Sequence, residues 1–461
     1  MDNKPSLNIL LTRYCNNSCV YCFASSYHKT PSREARLYMR LVDFRFLIDF
    51  LLGQGITELR LLGGEPLLHP QIKEILLEIK GVKEFSHIAI FTGGLFSGNI
   101  VPLLDDGRIS MVVNVNQPKD YRTSQLERLK RNLGLMVDRG ISITVGFNIY
   151  EEAFDYGPLF AMCEEFSIHS LRLCIANPSS EGSSTTLSRT SRKRLGSRLY
   201  SLIMDCGEKN IHVFFDCCLS PCMFTDEEFG AIVKQSPRIT TGFGICTPSM
   251  DVSPDLEVFR CFSFGRSPSA DLKSFKNTNE LFSFFMNEVD AFKWSVWAEE
   301  CSDCEYFRRR VCQGDCLGFN AEQLRLFRTK NRDAKILSAK AYDELKSGNF
   351  MHAKDLFEGS LALYDQDLDV VSDYVFALLK NGEADHARDI WRKHKHRLQF
   401  EDSASGFMLD GLIAESEQEY GVALKDFRKS LRYVDEEKKE SIRQRIMHIE
   451  ELAKVKLGRQ L

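Results

Sequence analysis

The chain has no apolar run that reaches the ~18 consecutive residues needed by a membrane helix. Its first residues, MDNKPSLNILL, hold an acidic residue and an apolar run too short for a secretory signal. The net charge of -4 over 461 residues lacks the basic excess typical of a general nucleic-acid binder. We therefore predict a cytoplasmic protein that binds neither membrane nor nucleic acid.

Cysteine is absent after Cys316, although the chain contains 15 cysteines in all. Because the cytoplasm is reducing, we interpret the clustered cysteines as metal ligands rather than disulfides. The segment without cysteine is rich in Ala, Leu, Lys and Glu, which favour helices. Length and composition together predict three domains, covering residues 1–190, 191–330 and 331–461.

Short apolar runs alternate with amphipathic stretches over the first part of the chain. The predicted strands are residues 7–12, 56–63, 85–93, 109–116, 141–150 and 170–177. The stretches 40–55 and 124–140 between them each end on a glycine, a common helix stop. This alternation predicts an α/β fold class with a parallel sheet, wound into a partial (β/α)6 TIM-like barrel. Ligands of such barrels bind at the C-terminal ends of the strands.

Three cysteines follow the first predicted strand, in the sequence YCNNSCVYCFA. They are Cys15, Cys19 and Cys22, with the spacing C-x3-C-x2-C. Three thiolates would leave one iron of a cubane cluster without a protein ligand, and an open metal position can act on a substrate. Half of a zinc site would give the same spacing and is the alternative.

A second motif, LLGGEPLLHP, lies at the end of the second predicted strand. It contains Gly63, Gly64, Glu65 and Pro66. Glycines at such a position let the backbone approach a ligand closely. The carboxylate of Glu65 can accept a hydrogen bond from a ligand ammonium group.

Together the two motifs resemble the radical S-adenosylmethionine (radical SAM) superfamily. The resemblance implies that Cys15, Cys19 and Cys22, with Tyr21 just before the last, hold a 4Fe-4S cluster. It also implies that residues 63–66 hold the amino group of SAM. Thr92 in FTGG and Asn114 in VVNVNQP are weaker echoes of further SAM contacts, and Gly93 stands where the family has Asn.

The resemblance also implies the chemistry. An electron from the reduced cluster would cleave SAM to methionine and a 5′-deoxyadenosyl radical, which abstracts hydrogen from the substrate. A flavodoxin- or ferredoxin-type donor would supply the electron.

A second cysteine group has the spacing C-x2-C-x7-C-x3-C and resembles the SPASM extension of radical SAM enzymes. Its sequence departs from that pattern, since Leu256 replaces a glycine, one gap is x7 instead of x5, and no cysteine follows Cys316. The resemblance implies one or two auxiliary iron–sulfur clusters. The first would be held by Cys222, Cys246, Cys261 and Cys316, and the second by Cys301, Cys304 and Cys312, with Asp315 one candidate for its fourth ligand. A structural zinc knuckle is the alternative. We interpret Cys163, Cys174 and Cys206 as buried core thiols.

The C-terminal third contains a repeat. Gly348 and Gly382, Ala353 and Ala387, and Phe357 and Trp391 are each 34 residues apart, and a looser third copy places Ala423 and Phe427. This period resembles tetratricopeptide repeats, so a C-terminal all-α helical repeat domain is expected. Such repeats commonly bind a peptide or protein, although a stabilising cap or a dimer interface is the alternative.

We predict a radical SAM enzyme that modifies a peptide or protein substrate held by the helical repeats. Because the first strand starts at about residue 7, no leader-binding domain is expected before the barrel. One alternative keeps the chemistry but makes the substrate a small molecule. The other is a non-catalytic metal-binding scaffold that acts through its repeats.

Overall fold

The structure, a computed structural model, describes residues 7–29, 35–179, 185–217, 219–236, 243–246, 249–314, 316–365, 367–395, 403–434 and 436–458. The chain divides into two compact units, residues 1–324 and residues 325–461. The predicted boundary between residues 190 and 191 lies inside the first unit, and the division into three domains stays a prediction. Among the described residues, no helix is both long and apolar enough to cross a membrane.

In the described part of the first unit, ten strands form one sheet. They are β1 (Leu7–Leu10), β2 (Glu58–Leu62), β3 (His87–Thr92), β4 (Ile109–Asn114), β5 (Ser142–Ile149), β6 (Ser170–Ile175), β7 (His212–Phe215), β8 (Met250–Val252), β9 (Glu257–Phe259) and β10 (Ser269–Asp271). Their order across the sheet is β10-β9-β8-β1-β2-β3-β4-β5-β6-β7. The pairs from β8 through β1 to β7 are parallel, and the two pairs made by β9 are antiparallel.

Helices follow most of the parallel strands and build all of the described second unit. They are α1 (Ser25–Lys29), α2 (Leu41–Gly53), α3 (Ile72–Gly81), α4 (Thr123–Val137), α5 (Gly157–Glu165), α6 (Arg189–Arg194), α7 (Gly196–Glu208), α8 (Asp226–Gln235), α9 (Thr278–Glu288), α10 (Glu305–Arg308), α11 (Ala321–Ser347), α12 (Phe350–Leu363), α13 (Leu368–Lys380), α14 (Ala384–Lys395), α15 (Ala404–Ser416), α16 (Tyr420–Ser430) and α17 (Glu436–Gly458).

The parallel sheet confirms the predicted α/β fold class, and each predicted strand overlaps one of β1 to β6. The sheet continues beyond the six predicted strands on both sides, through β7 next to β6 and through β8 next to β1. All four residues of β1 are buried, as expected for a strand with a neighbour on each side. The C-terminal ends of β1 and β2 therefore lie side by side, where the two motifs begin.

Helix pairs with short connections make up the second unit. Gly348 and Gly382 have φ angles of 83° and 78°, a left-handed conformation that glycine adopts without strain at the end of a helix. The aligned repeat positions are all buried, namely Ala353, Phe357, Ala387, Trp391, Ala423 and Phe427. Aromatic and alanine side chains thus form the helix contacts that the repeat predicts, while the tetratricopeptide assignment itself stays a prediction.

Candidate functional site

The cysteine loop and the Gly-Gly-Glu-Pro loop are joined by their backbones. The N–H groups of Gly64 and Glu65 donate hydrogen bonds to the carbonyl oxygens of Thr12 and Tyr14, each over 2.8 Å. Gly63 has a φ of 141°, and a Cβ on Gly64 would lie 2.1 Å from the Tyr14 oxygen. Only glycine fits so close an approach, so the two motifs hold each other in place at the ends of β1 and β2.

Glu65 is a buried carboxylate that ties the end of β2 to the end of β3. One oxygen accepts hydrogen bonds from the Thr92 hydroxyl at 2.7 Å and the Leu67 N–H at 3.3 Å, and the other accepts from the Gly93 N–H at 2.8 Å. Burial raises the pKa of Glu65 to about 7, against the opposing effect of these three donors. Two predicted site residues, Glu65 and Thr92, are thus in direct contact, and buried Pro66 begins the turn that follows.

A network of polar side chains connects Tyr21 to Cys19 and to the C-terminal ends of β4 and β5. The Tyr21 hydroxyl donates to the Asn116 Oδ1, and the Asn116 Nδ2 lies 3.5 Å from the Cys19 sulfur. The Asn148 Nδ2 donates to the Tyr21 oxygen over 3.2 Å and lies 3.5 Å from the Asn114 Oδ1. The structure therefore brings Tyr21, Cys19 and Asn114 into one network, through two asparagines that the sequence analysis did not single out.

The cysteines of this loop are half-buried. Burial raises the pKa of Cys15 to about 12, although the N–H of Asn17 donates to its sulfur over 3.4 Å. Burial likewise raises the pKa of Cys19, opposed by the hydrogen bond from Asn116. Both thiols hold their protons at neutral pH in the absence of metal, so metal binding must release protons here.

Arg172 on β6 is a further charged group at this end of the sheet. Its Nε donates to the Asp216 carboxylate over 2.9 Å, and its Nη1 lies 3.4 Å from the Asn114 Oδ1. The charge of Arg172 lowers the pKa of Asp216. Sequence reasoning missed both residues, because an Arg on a predicted strand carries no signal until the pairing of the strand is known.

Several auxiliary cysteines share one neighbourhood. Burial, followed by the charges of Cys316, Asp251 and Cys246, raises the pKa of Cys261. Cys246, Cys261 and Cys316 therefore lie near one another, as the SPASM resemblance implies for three ligands of one cluster.

The fourth predicted ligand of this set, Cys222, is exposed. Cys217 also interacts with this group, since a hydrogen bond with Cys174 and then burial raise its pKa, with a smaller contribution in the same direction from Cys316. The Asn177 Nδ2 also donates to the Cys217 sulfur over 3.1 Å. Cys174 is thus in contact with another thiol, whereas Cys163 and Cys206 are buried in the core.

Cys301, Cys304 and Cys312 form the second set. Burial and then the charge of Cys312 raise the pKa of Cys301, and Cys304 contributes in the same direction. The N–H of Gly314 donates to the Cys312 sulfur over 3.4 Å. Asp315, the candidate fourth ligand, lies outside the described residues.

Gln313, which follows Cys312 in the sequence, has a buried polar side chain of unusual environment. Its side chain is 0% exposed, and neither of its amide atoms has a hydrogen-bond partner among the described residues. An unpartnered buried amide costs several kcal/mol, roughly 2–7, unless another group accepts or donates. Gln313 follows Cys312 directly, so a cluster sulfur beside that cysteine would satisfy the amide N–H.

No three His, Cys, Asp or Glu side chains in the described residues converge on one metal-ion position. Cysteines that hold a cluster need not converge in this way, since each thiolate binds a different iron. Thiolates remain the donor type that iron–sulfur clusters use, so the chemistry of the cysteine sets is compatible with such clusters.

Residues 9–152 match the family model of the Radical SAM superfamily. The chain carries a radical SAM domain. The match includes both motifs, and a radical SAM domain holds a 4Fe-4S cluster and SAM. Cys15, Cys19 and Cys22 are the residues of this chain that would hold the cluster.

Two curated relatives are similar to part of this chain. A probable GTP 3′,8-cyclase of Methanothermobacter thermautotrophicus is 30% identical over 174 residues, which cover 35% of this chain and 54% of the relative. The mitochondrial GTP 3′,8-cyclase of Arabidopsis thaliana is 28% identical over 31% of this chain and 36% of its own length. The chain thus spans about half or less of each relative.

A solved structure is also similar to the chain. It is Streptococcus suis SuiB bound to the precursor peptide SuiA, 16% identical, with a TM-score of 0.48 over 68% of this chain and 72% of that one.

Proposed function

We propose that this protein is a radical SAM enzyme that reductively cleaves SAM and modifies a peptide or protein. The observation that carries the proposal is the backbone-linked pair of loops at the ends of β1 and β2, with three half-buried cysteines on one and a buried carboxylate on the other. When bound, the cluster supplies the electron that breaks a carbon–sulfur bond of SAM.

Groups of the protein itself orient the cysteine ligands and offer polar contacts at the site. Asn116 and the Asn17 N–H direct hydrogen bonds at the sulfurs of Cys19 and Cys15, which fixes the orientation of the ligands. Gly63 and Gly64 let the Gly-Gly-Glu-Pro loop pack directly against the backbone of Thr12 and Tyr14, which holds the cysteine loop in place. Asn114 and Arg172 offer polar contacts at the neighbouring strand ends.

The peptide substrate is the finer part of the proposal. Two features support it, the auxiliary cysteines around Gln313 and the helical second unit, whose paired helices are of the kind that binds extended chains. None of the fourteen cysteines that the structure describes forms a disulfide, which suits a reducing compartment such as the cytoplasm and an electron donor of the flavodoxin or ferredoxin type.

A small-molecule substrate is the second candidate. It is favoured by the GTP 3′,8-cyclases, which act on a nucleotide and align with the radical SAM domain of this chain. An anaerobic turnover assay distinguishes the two candidates, because only the true substrate loses a hydrogen atom to the 5′-deoxyadenosyl radical.

The deciding experiment is the reductive formation of 5′-deoxyadenosine by anaerobically reconstituted protein with dithionite as reductant. We expect Cys19→Ala to abolish the product, because a cluster cannot be held by the remaining pair of thiolates. Cys163→Ala is the matched control, since Cys163 is a buried thiol outside the site, and it should retain activity. Product formation by Cys19→Ala at the wild-type rate would refute the proposal, and no product from the wild-type chain would favour a non-catalytic scaffold.

A further inference from the structure

The second unit contains a groove of about 820 Å³ between α14, α15 and α16. Its floor is apolar and includes buried Trp391, Phe407 and Ile413. Its rim includes Tyr433 and Val422, which are 55% and 47% exposed. The groove thus offers apolar contacts at two depths to a ligand that enters from solvent.

Basic side chains outnumber acidic ones around this groove, by six to four. Three of the basic residues are neutralised by ion pairs within the groove, and these pairs are Arg388–Glu417, Lys395–Asp410 and Lys429–Asp426. The other three, Arg392, Lys425 and Arg432, have no ion-pair partner in the part of the chain that the structure describes. The only acidic residue left to offset them among the described lining is Glu419.

The paired charges keep the groove in shape rather than closing it. The Asp410 carboxylate accepts from the Trp391 indole N–H over 2.8 Å and pairs with Lys395 at 2.5 Å, which fixes the floor. The Lys429 ammonium lies 4.9 Å from the Phe407 ring centre, and the Tyr433 and Phe407 rings are 5.7 Å apart. The unpaired cations therefore face a site whose walls are already organised.

We propose that this groove binds an acidic peptide segment that also carries apolar side chains. Carboxylates of the segment would pair with Arg392, Lys425 and Arg432, and its apolar side chains would contact Tyr433 and Val422. The inference rests on the proposed function in one respect, since it makes this segment part of the peptide substrate. Binding itself requires neither a cluster nor SAM.

The test is fluorescence anisotropy with the full chain and a labelled 16-residue probe in which Glu alternates with Leu and Phe. A charge-inverted probe with Lys in place of Glu serves as the reference. We expect the acidic probe to bind at least about tenfold more tightly than the basic one, and added salt to weaken binding.

Charge reversal at the groove should remove this preference. The variant carrying Arg392→Glu, Lys425→Glu and Arg432→Glu is expected to raise the Kd of the acidic probe by about tenfold or more. The matched control carries Lys340→Glu, Lys346→Glu and Lys454→Glu, which change the net charge equally at exposed sites outside the groove. Tyr433→Ala, a single change at an exposed residue, should weaken binding of the acidic probe without changing the salt dependence of that binding.

Three results would overturn the inference. They are equal weakening by the two triple variants, equal binding of the two probes, and tighter binding of a single-stranded RNA 16-mer than of the acidic peptide. Circular dichroism and thermal melting of each variant separate lost binding from lost folding. The 5′-deoxyadenosine assay does not use the peptide probe. If the probe fails to bind, the proposed radical chemistry is unaffected. If no 5′-deoxyadenosine forms, the binding measurement at the groove is still valid.

Discussion

Both oxygens of the Glu65 carboxylate accept hydrogen bonds from fixed neighbouring donors. The Thr92 hydroxyl accepts from the Gly94 N–H at 2.9 Å, so its own proton is directed to Glu65. The Gly93 N–H is directed to the other oxygen. Each side of the carboxylate therefore meets a backbone N–H that can only donate, from Leu67 on one side and from Gly93 on the other.

Glu65→Gln tests this arrangement, because its NH2 group must face either the Gly93 N–H or the Thr92 hydroxyl. We expect a loss of about 1–3 kcal/mol in stability, the cost of one unmet buried group. SAM binding should weaken as well, and thermal melting and calorimetric titration measure the two effects. Glu84→Gln, at an exposed carboxylate, should leave both unchanged. An unchanged melting temperature in Glu65→Gln would contradict the expectation.

Gln313→Leu should change the stability of the metal-free protein and the reduction potential of the reconstituted protein. In metal-free protein the change removes an unpartnered buried amide, so stability should be equal or higher. In reconstituted protein it removes a hydrogen bond to sulfur, so the reduction potential of the nearby cluster should become more negative.

The potential is measured by redox titration monitored by electron paramagnetic resonance, in a Cys19→Ala background that leaves only auxiliary clusters. Gln444→Leu, an exposed glutamine in the second unit, is the control for the substitution itself. An unchanged potential in Gln313→Leu with full iron content would show that the amide does not contact a cluster.

Asn116 and Gln313 show where reading the sequence stops at this scale. The two motifs, read together with their resemblance to the radical SAM superfamily, pointed to Cys15 and Glu65, and the roles of both stay predictions. Asn116 lies two residues after Asn114 and so continues on the same side of the extended chain. Which of the two asparagines faces the Cys19 sulfur depends on where β4 ends, and no residue pattern fixes that.

Strand length explains why β8, β9 and β10 were not predicted, although β7, with four residues like β1, was missed as well. β1 to β6 have four to eight residues, enough for an apolar run to stand out from its neighbours. β8, β9 and β10 have three residues each, and no periodicity can be read over so short a segment. The side of the sheet next to β1 was therefore invisible in the sequence, although β8 pairs directly with the strand that leads to the cysteine loop.

Helix packing in the second unit depends on close approach at Gly411 on α15. A Cβ there would lie 2.9 Å from the Phe427 ring, whose side chain is fully buried. Gly411→Ala should therefore destabilise the unit by about 1–3 kcal/mol through overpacking. Gly421 on α16 has no atom within 4 Å of such a Cβ, so Gly421→Ala should stabilise it by up to about 1 kcal/mol. Melting curves that move in the same direction for both variants would contradict this packing.

At the scale of the whole molecule, the two units differ in cysteine content, because every cysteine of the chain lies in the first unit. The first unit places its clustered cysteines after β1, after β7, before β8, after β9 and between α9 and α11, so its metal content is a direct test of how many sets are filled. The second unit has no cysteine and contributes nothing to that content. Iron and zinc analysis of the full chain therefore reports on the first unit alone.

Three 4Fe-4S clusters would give about twelve irons per chain, and removal of one cluster would leave about eight. We expect the first value for wild-type protein reconstituted anaerobically, and the second for the variant with Cys15, Cys19 and Cys22 all changed to Ala. Changing Cys246 and Cys261 to Ala should also leave about eight irons while preserving 5′-deoxyadenosine formation, because those thiols serve a different cluster. Inductively coupled plasma analysis that finds about four irons together with zinc would instead assign the second cysteine group to a zinc knuckle. Because zinc has no redox chemistry, that result would leave the radical SAM domain as the one electron-accepting centre of the chain.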